Sequence, residues 1–440
     1  GPPGGSVVPL VLSARGGPAL VALARAMADH LRARPDQDLS DIAAALVLRR
    51  EALSHRLAVF AHGREAITEA LARFAQGESP AGLVTGRLLT PAQGPVFVFS
   101  GNGSQWVGMG QALFEEDASF RAAVEEVDGL FVPLGGFSIG AELQRPASAE
   151  RLAATEVAQP LLFAVQVGLT RCLADRGMAP SAVVGHSVGE VAAAWACGSL
   201  TLAQAVSVIH SRSTHQGWTR GSGQMTAVAT SEGEARALLD TLGLAGLVHV
   251  AGVNSARSVT LAGETDALAR FEATLSARSP WFRRLALDYA FHSPAMNPIR
   301  DSLIAALPDL SPCEGTVPFY STVSGSLLSG AALNADYWWH NVRQPVRFHE
   351  AIKGLVGAGF NAFIEVGPSP ILRAYLNETI KDSATEGLVL PTMTREAADR
   401  AQIDLVFNRM LLSGVAFDWP RLVARNGRFA DLPHYPWQRE

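Results

Sequence analysis

From Val96 onward the chain alternates short apolar runs with helix-prone stretches. Each run stops at a glycine loop: Val96–Phe99 before Ser100-Gly101-Asn102-Gly103, Ala182–Val184 before Gly185-His186-Ser187, and Phe363–Val366 before Gly367-Pro368. Apolar runs of this length with helices between them predict parallel strands of one α/β sheet whose C-terminal ends share an edge. Ligand sites in open α/β sheets lie at that edge. The order changes between about Gln224 and Leu287. Strand-like Gln224–Thr230, helix-like Glu232–Leu242, strands Val248–Val253 and Val259–Gly263, helix Asp266–Arg278 and strand Trp281–Leu287 spell βαββαβ, a ferredoxin-like insertion. Its last strand runs into Asp288-Tyr289-Ala290-Phe291-His292, which brings a histidine toward the rim of the main sheet and implies a cleft between the two subdomains.

Residues 1–92 read as a small α/β unit. Leu20, Leu23, Met27 and Leu31 recur at helical spacing, a second helix spans about Leu39–Leu46, and a third (Ile67, Leu71, Phe74) ends at Gly77. Val8–Leu12 and Leu57–Ala61 read as strands. Pro91-Ala92-Gln93-Gly94-Pro95 marks a boundary, so the domains expected are 1–92, 93–394 and 395–440. The last of these ends in Leu432-Pro433-His434-Tyr435-Pro436-Trp437, an aromatic, proline-rich strap for a surface rather than a folded unit.

Composition narrows the class. The chain has 440 residues, 36 basic and 41 acidic side chains, a net charge of −5 and 48% hydrophobic content, the profile of a multi-domain enzyme rather than a disordered or fibrous chain. With no Lys/Arg cluster there is no electrostatic footprint for nucleic acid. Cys172, Cys197 and Cys313 are odd in number and nowhere spaced as CxxC. They supply neither a disulfide framework nor a zinc site, and point to a reducing, cytoplasmic compartment. Val191 to Ser211 carries no Asp, Glu, Lys or Arg, but Gly198, Ser199, Thr201, Gln204 and Ser207 interrupt it, so it reads as buried helix and not as a membrane span. The opening Gly-Pro-Pro-Gly-Gly, without initiator Met or signal peptide, reads as linker, and the chain as a segment of a larger polypeptide.

The sharpest chemical signal is Gly185-His186-Ser187-Val188-Gly189-Glu190, a G-x-S-x-G between an apolar strand and a helix-prone run. There the glycines permit a tight strand-to-helix turn that exposes the Ser187 hydroxyl. The helix N-terminus then offers N–H donors and positive dipole to a developing oxyanion. Eleven histidines compete as base. His30, His55 and His62 fall in the first unit and His249 inside the insertion, whereas His186 adjoins the nucleophile on a turn that points it elsewhere. His292, followed by the turn signal Ser293-Pro294, is the geometric favourite. Asp288 is a triad acid only if the chain is a hydrolase.

Gly101-Asn102-Gly103-Ser104-Gln105-Trp106, Gln159-Pro160-Leu161, the Gly185–Glu190 elbow, Phe291-His292-Ser293-Pro294 and Glu365-Val366-Gly367-Pro368 together resemble the acyltransferase domains of type I polyketide synthases, motif by motif and over nearly the whole chain. The resemblance implies an α/β-hydrolase-like core with the ferredoxin-like subdomain. Residues 1–92 then match the linker between ketosynthase and acyltransferase, and the terminal strap matches the post-acyltransferase linker. It implies Ser187 as nucleophile and His292 as general base. Backbone N–H groups of Asn102 and Val188 would form the oxyanion hole, although the family usually has Gln where Asn102 stands. In the Asn341-Val342-Arg343-Gln344-Pro345-Val346 segment, Asn341 takes the position whose main-chain carbonyl orients the histidine. Arg212, about three turns into a helix opened by a Thr201/Gln204 capping box, would fork onto the free carboxylate of a malonyl-type substrate. Gln159 would line the same site.

The reaction implied is covalent transfer: Ser187 takes the acyl group from a coenzyme A thioester and the phosphopantetheine thiol of an acyl carrier protein removes it. A ketosynthase domain would lie in cis, with no bound cofactor or metal. Malonyl-specific relatives tend to read His-Ala-Phe-His before the turn and methylmalonyl-specific ones Tyr-Ala-Ser-His. Here Tyr289-Ala290-Phe291-His292 mixes the two, and the bulk of Phe291 with Val188 after the nucleophile favours malonyl-CoA. A methylmalonyl-specific enzyme is the alternative, and a serine thioesterase or hydrolase on the same elbow the more distant one.

Overall fold

A computed structural model of the chain describes residues 9–60, 63–90, 93–145, 148–278, 281–415 and 430–435. They divide into two units: residues 1–94 with 174–179 and 404–440, and residues 95–173 with 180–403. In the first, strands β1 (Leu10–Ala14), β2 (His55–Val59) and β3 (Leu83–Arg87) form an antiparallel sheet in that order. Helices Gly17–Ala33, Leu39–Leu48 and Arg64–Phe74 accompany them. Leu20, Leu23, Met27 and Leu31 are buried in one cluster with Ile67 and Leu71, as their spacing requires. Both expected strands are displaced by two residues or so, their ends Val8 and Ala61 lying outside the described residues together with Pro91 and Ala92. β3 escapes the apolar-run criterion because Leu83-Val84-Thr85-Gly86-Arg87 is half polar. Its Gly86 is required by packing, since a Cβ there would sit 2.9 Å from that of Leu412. Ala430 joins the same core with Leu432 and Tyr435 against it. Tyr435 Oη accepts from the Arg15 N–H at 3.0 Å, and Arg50 donates to the Pro433 carbonyl at 2.6 Å. Pro436 and Trp437 are outside the described residues.

The second unit continues with β4 (Val96–Phe99), β5 (Ala182–Gly185), the insertion strands β6 (Gln224–Val228), β7 (Val248–Ser255), β8 (Ser258–Gly263) and β9 (Phe282–Arg284), and then β10 (Phe319–Ser321), β11 (Ser326–Leu328), β12 (Ala362–Val366) and β13 (Leu388–Pro391). The main sheet runs β11-β10-β5-β4-β12-β13, parallel throughout except for the antiparallel edge strand β11. β4, β5 and β12 are buried along their whole length, which is why they read as continuous apolar runs. Phe99 is level with Gly185 on one side and Val366 on the other, so the three glycine loops leave the sheet side by side.

The insertion is the expected βαββαβ, an antiparallel sheet in the order β7-β8-β6-β9. Its last strand stops at Arg284, short of Leu287, and the irregular stretch that follows carries the chain to His292. β7 is clipped to the Gln344-Pro345-Val346 segment by paired main-chain bonds, Val253 N–H to Val346 O and Val346 N–H to Ala251 O (2.8 and 2.9 Å). The charge-free stretch 191–211 is buried helix in two pieces, the second opening at Thr201 as its capping box requires. Gly189–Ala196 and Leu202–Gly217 are separated at Gly198, whose φ of +83° no helix tolerates. The helix Thr155–Asp175 is long and apolar enough to cross a membrane, but it is buried inside this unit and carries Gln159.

Candidate active site

Gly185 and Gly189 are close-packed rather than left-handed. A Cβ on Gly185 would collide with the backbone of Gly189 and Glu190, and one on Gly189 with the Phe99 carbonyl. With both flanks pressed against neighbouring backbone, the turn is completed by Ser187 itself at φ +55°. His292 stands at φ +58°, so both members of the pair occupy a region that costs a non-glycine residue about 1 kcal/mol or more. Strain at both of these buried positions points to a constraint beyond chain economy. The pair is joined: Ser187 Oγ lies 2.8 Å from His292 Nε2.

The other ring nitrogen of His292 faces the carbonyl of Gln344 at 2.8 Å. This corrects the expectation for Asn341. The helix Ala335–Arg343 keeps the Asn341 carbonyl within its last turn. Pro345 disfavours helical geometry at Gln344, which is extended (φ −80°, ψ 155°) and turns its carbonyl out. Nδ1 therefore carries the proton and Nε2 offers its lone pair to the serine. Asp288 takes no part: it is exposed and 4.0 Å from Arg220, and the partner of Nδ1 among the described residues is the Gln344 carbonyl rather than a carboxylate. His186 is turned away to Asn254 Oδ1 at 2.9 Å. Burial first, and the Arg212 cation second, push the His292 pKa down to about 3.

Arg212 projects from the Leu202–Gly217 helix, whose Thr201/Gln204 capping box is present. It is 1% exposed, and burial lowers its pKa to about 9. Its guanidinium is aimed by hydrogen bonds. Nη2 donates to Ser187 Oγ at 3.0 Å, Nη1 to Gln159 Oε1 and Gln216 Oε1 at 2.7 Å each, and Nε to Asn341 Oδ1 at 2.9 Å. Gln159 Nε2 in turn donates to Thr155 Oγ1 and Gln216 Oε1. Asn341 thus belongs to the site through its side chain, and its amide nitrogen donates to the Ser187 carbonyl and to Glu190. Gln216 and Gln344 were missed by sequence reasoning. Gln216 was readable as the i+4 neighbour of Arg212 on one helix face, and Gln344 as the residue before a proline.

Val188 caps the elbow helix directly after Ser187. Asn102 lies in the adjoining loop, where Gly101 is so close to the elbow that a Cβ would be 2.5 Å from the His186 carbonyl. Trp106 ties that loop to the third one by donating to the Pro368 carbonyl at 2.8 Å. Tyr289 and Phe291 stack at 4.7 Å, both buried. All the expected residues therefore belong to one unit of the chain, on the loops at the C-terminal edge of the sheet and the helices beside them. Chemically, the arrangement presents a hydroxyl, a neutral base in hydrogen-bond contact with it, and a buried cation that donates to the same hydroxyl.

A family model described as "Acyl transferase domain" matches residues 96–416, and one described as "RhiE-like, KS-MAT linker domain" matches residues 11–78. The chain is 37% identical to the spectinabilin polyketide synthase system protein NorA' of Streptomyces orinoci, over 98% of its own length and 12% of that protein's. It therefore spans only about an eighth of that relative. Among solved structures it is similar to the acyltransferase domain from module 8 of the salinomycin polyketide synthase, at 33% identity and a TM-score of 0.84 over 94% of this chain and 97% of that one. It is also similar to the malonyl CoA-acyl carrier protein transacylase of Coxiella burnetii, at 26% and 0.64 over 72% and 98%.

Proposed function

The chain belongs to the acyltransferase domains of type I polyketide synthases, and on that premise we propose that it moves a malonyl-type unit from coenzyme A to an acyl carrier protein through Ser187. Ser187 Oγ attacks the thioester carbonyl as His292 Nε2 takes its proton, and the Gln344 carbonyl holds the Nδ1–H and steadies the imidazolium. The N–H groups of Asn102 and Val188 receive the oxyanion. Collapse of the tetrahedral intermediate breaks the C–S bond, and His292 returns the proton to the departing coenzyme A sulfur. The carrier protein's phosphopantetheine thiol then attacks the acyl-serine, giving up its proton to His292, which passes it to Ser187 Oγ. The net reaction consumes the acyl thioester and the carrier thiol and releases the acyl carrier thioester and free coenzyme A thiol. The ketosynthase domain in cis and the carrier protein are the partners this reading expects, and the cytoplasm is its compartment.

The observation that carries the reading is Arg212 Nη2 at 3.0 Å from the nucleophile. A hydrolase of simple esters has no use for a cation buried against its acyl group, whereas a carboxyacyl unit needs one. The preference for malonyl over methylmalonyl is supported by the bulk of Phe291, which stacks on Tyr289 one residue from the base; on this reading the ring takes the space that an α-methyl branch needs. Intact-protein mass after separate incubation with the two thioesters tests both levels. Ser187→Ala abolishes the malonyl adduct and His292→Ala slows its formation by ~10²–10⁴; an undiminished adduct in Ser187→Ala overturns the mechanism. The malonyl preference is ~10–200-fold, the worth of one methyl group, and Phe291→Ser relaxes it. A dominant methylmalonyl adduct in the unmodified protein assigns the governing role to Tyr289 instead.

A further inference from the structure

Glu190, the last residue of the elbow motif, is fully buried yet does not touch the reacting atoms. Three donors hold its carboxyl group, the Thr322 N–H at Oε1 (2.5 Å) and the Tyr337 hydroxyl and Asn341 Nδ2 at Oε2 (2.7 and 2.8 Å), while the single proton of the Thr322 hydroxyl is shared between Oε1 at 3.0 Å and the Gly185 carbonyl at 2.9 Å. An acceptor-only group fixes which way a neighbouring amide points. Because Asn341 gives its N–H₂ to Glu190 and to the Ser187 carbonyl, its oxygen is left facing Arg212 Nε, a donor-only group. With Nε and Nη1 occupied by side-chain oxygens, Nη2 is the part of the fork turned to Ser187.

We propose that Glu190 and Asn341 form a hydrogen-bond polarity relay that positions Arg212, and that this relay, rather than Arg212 alone, sets the selectivity of the site for acyl groups bearing a free carboxylate. Glu190 and Asn341 are positioning residues in this scheme, acting through Arg212. The inference rests on the carboxylate-binding role of Arg212 given above. Burial pushes the Glu190 pKa up, and the hydrogen bonds from Thr322, Tyr337 and Asn341 oppose that rise; in its ionised form its field opposes the lowering of the Arg212 pKa that burial causes.

The relay makes a signed prediction. In Glu190→Gln the new amide must keep its oxygen toward the Thr322 N–H, which cannot turn round, so its N–H₂ falls where Oε2 was. Tyr337 can accept there by directing its proton to Ser321 Oγ, 2.7 Å away. Asn341 can accept only by flipping, which sets its N–H₂ against Arg212 Nε. Adding Asn341→Asp restores an acceptor to both Arg212 and the new amide, at the loss of the N–H bond to the Ser187 carbonyl, a loss that falls on both substrates and leaves their ratio to report the relay. The readout is kcat/KM for acyl-serine formation from malonyl-CoA and from acetyl-CoA. Glu190→Gln lowers the malonyl value by ~10–100-fold, the weight of a hydrogen bond to a charged group, and changes the acetyl value by less than about threefold. The double variant regains at least about half of the lost ratio on a logarithmic scale. Equal losses for both substrates in Glu190→Gln, or no recovery in the double variant, overturn the relay. Should Glu190→Gln fail to fold, Asn341→Asp alone carries the test: it sets two carboxylates together and lowers the malonyl-to-acetyl ratio, and an unchanged ratio overturns the proposal. Arg212→Ala is the arm that tests the underlying reading. If it leaves the ratio as in the unmodified protein, the carboxylate clamp itself is wrong and the inference falls with it, whereas loss of selectivity there with an unchanged ratio in the relay variants condemns the relay only.

Discussion

His292 and Arg212 are shifted for one reason. Each is buried, burial penalises the charged form, and the cation of Arg212 adds repulsion against an imidazolium. The signs favour the chemistry. A base acts when neutral, and His292, with its pKa lowered to about 3, is neutral across neutral and mildly acidic pH. Arg212 stays charged below about 9. The rate of malonyl-serine formation should therefore be level between about pH 8 and 5, where a histidine at its ordinary value of ~6.5 loses about 30-fold by pH 5. Stopped acylation assays across that range decide it, and a break near pH 6.5 contradicts the burial argument. Arg212→Ala removes the second cause of the depression, so its acid limb moves upward.

At the level of elements, the elbow works because two pieces of backbone approach closer than any side chain allows. The Gly189–Ala196 helix starts against the end of β4, with Gly189 pressed on the Phe99 carbonyl. Gly189→Ala is therefore expected to cost roughly 3 kcal/mol by overpacking, seen as a lower melting temperature together with a smaller acylated fraction. Gly233→Ala is the matched control, because that helical glycine has nothing within 4 Å of a new Cβ and alanine gains up to about 1 kcal/mol of helix propensity. A Gly189→Ala protein that melts and acylates like the unmodified one contradicts the close-packing account. The Gln344-Pro345-Val346 segment shows the complementary device. One short stretch ends a helix, pairs with β7 of the insertion through Val346, and turns the Gln344 carbonyl to the base, so insertion and sheet meet at the residue that orients His292.

At the scale of the whole molecule, the candidate chemistry lies entirely in the second unit, while the first has a core of its own to which the C-terminal residues contribute. Ala430, Leu432 and Tyr435 close that core, and the Tyr435 and Pro433 contacts pin them. Ending the chain at residue 429 should destabilise the first unit by roughly 2–4 kcal/mol from the apolar area uncovered, read as an earlier transition on heating. Malonyl-serine formation in the folded protein stays as before. Loss of acylation with an unchanged melt assigns the strap to the site instead.

The sequence by itself determined the parallel core strands, the βαββαβ insertion and the neighbourhood of Ser187 and His292, because those features are written in local periodicity, glycine placement and short motifs. It located β1 and β2 only approximately and missed β3, whose side chains are half polar and whose residues are all half-buried or exposed. It read 191–211 as buried helix with a new helix opening at the Thr201/Gln204 capping box, and the structure has that box. It chose Asn341 as the source of the orienting carbonyl, but the choice between Asn341 and Gln344 depends on how a helix ends in space. The tertiary structure alone decided which edge of Arg212 faces the serine and which way each buried amide points. Those orientations are set by hydrogen bonds between Gln159, Glu190, Arg212, Gln216 and Asn341, which, apart from Arg212 and Gln216 on one helix, are far apart along the chain. Donor and acceptor must alternate through such a network, and that constraint acts between partners the fold brings together, not between neighbours in sequence.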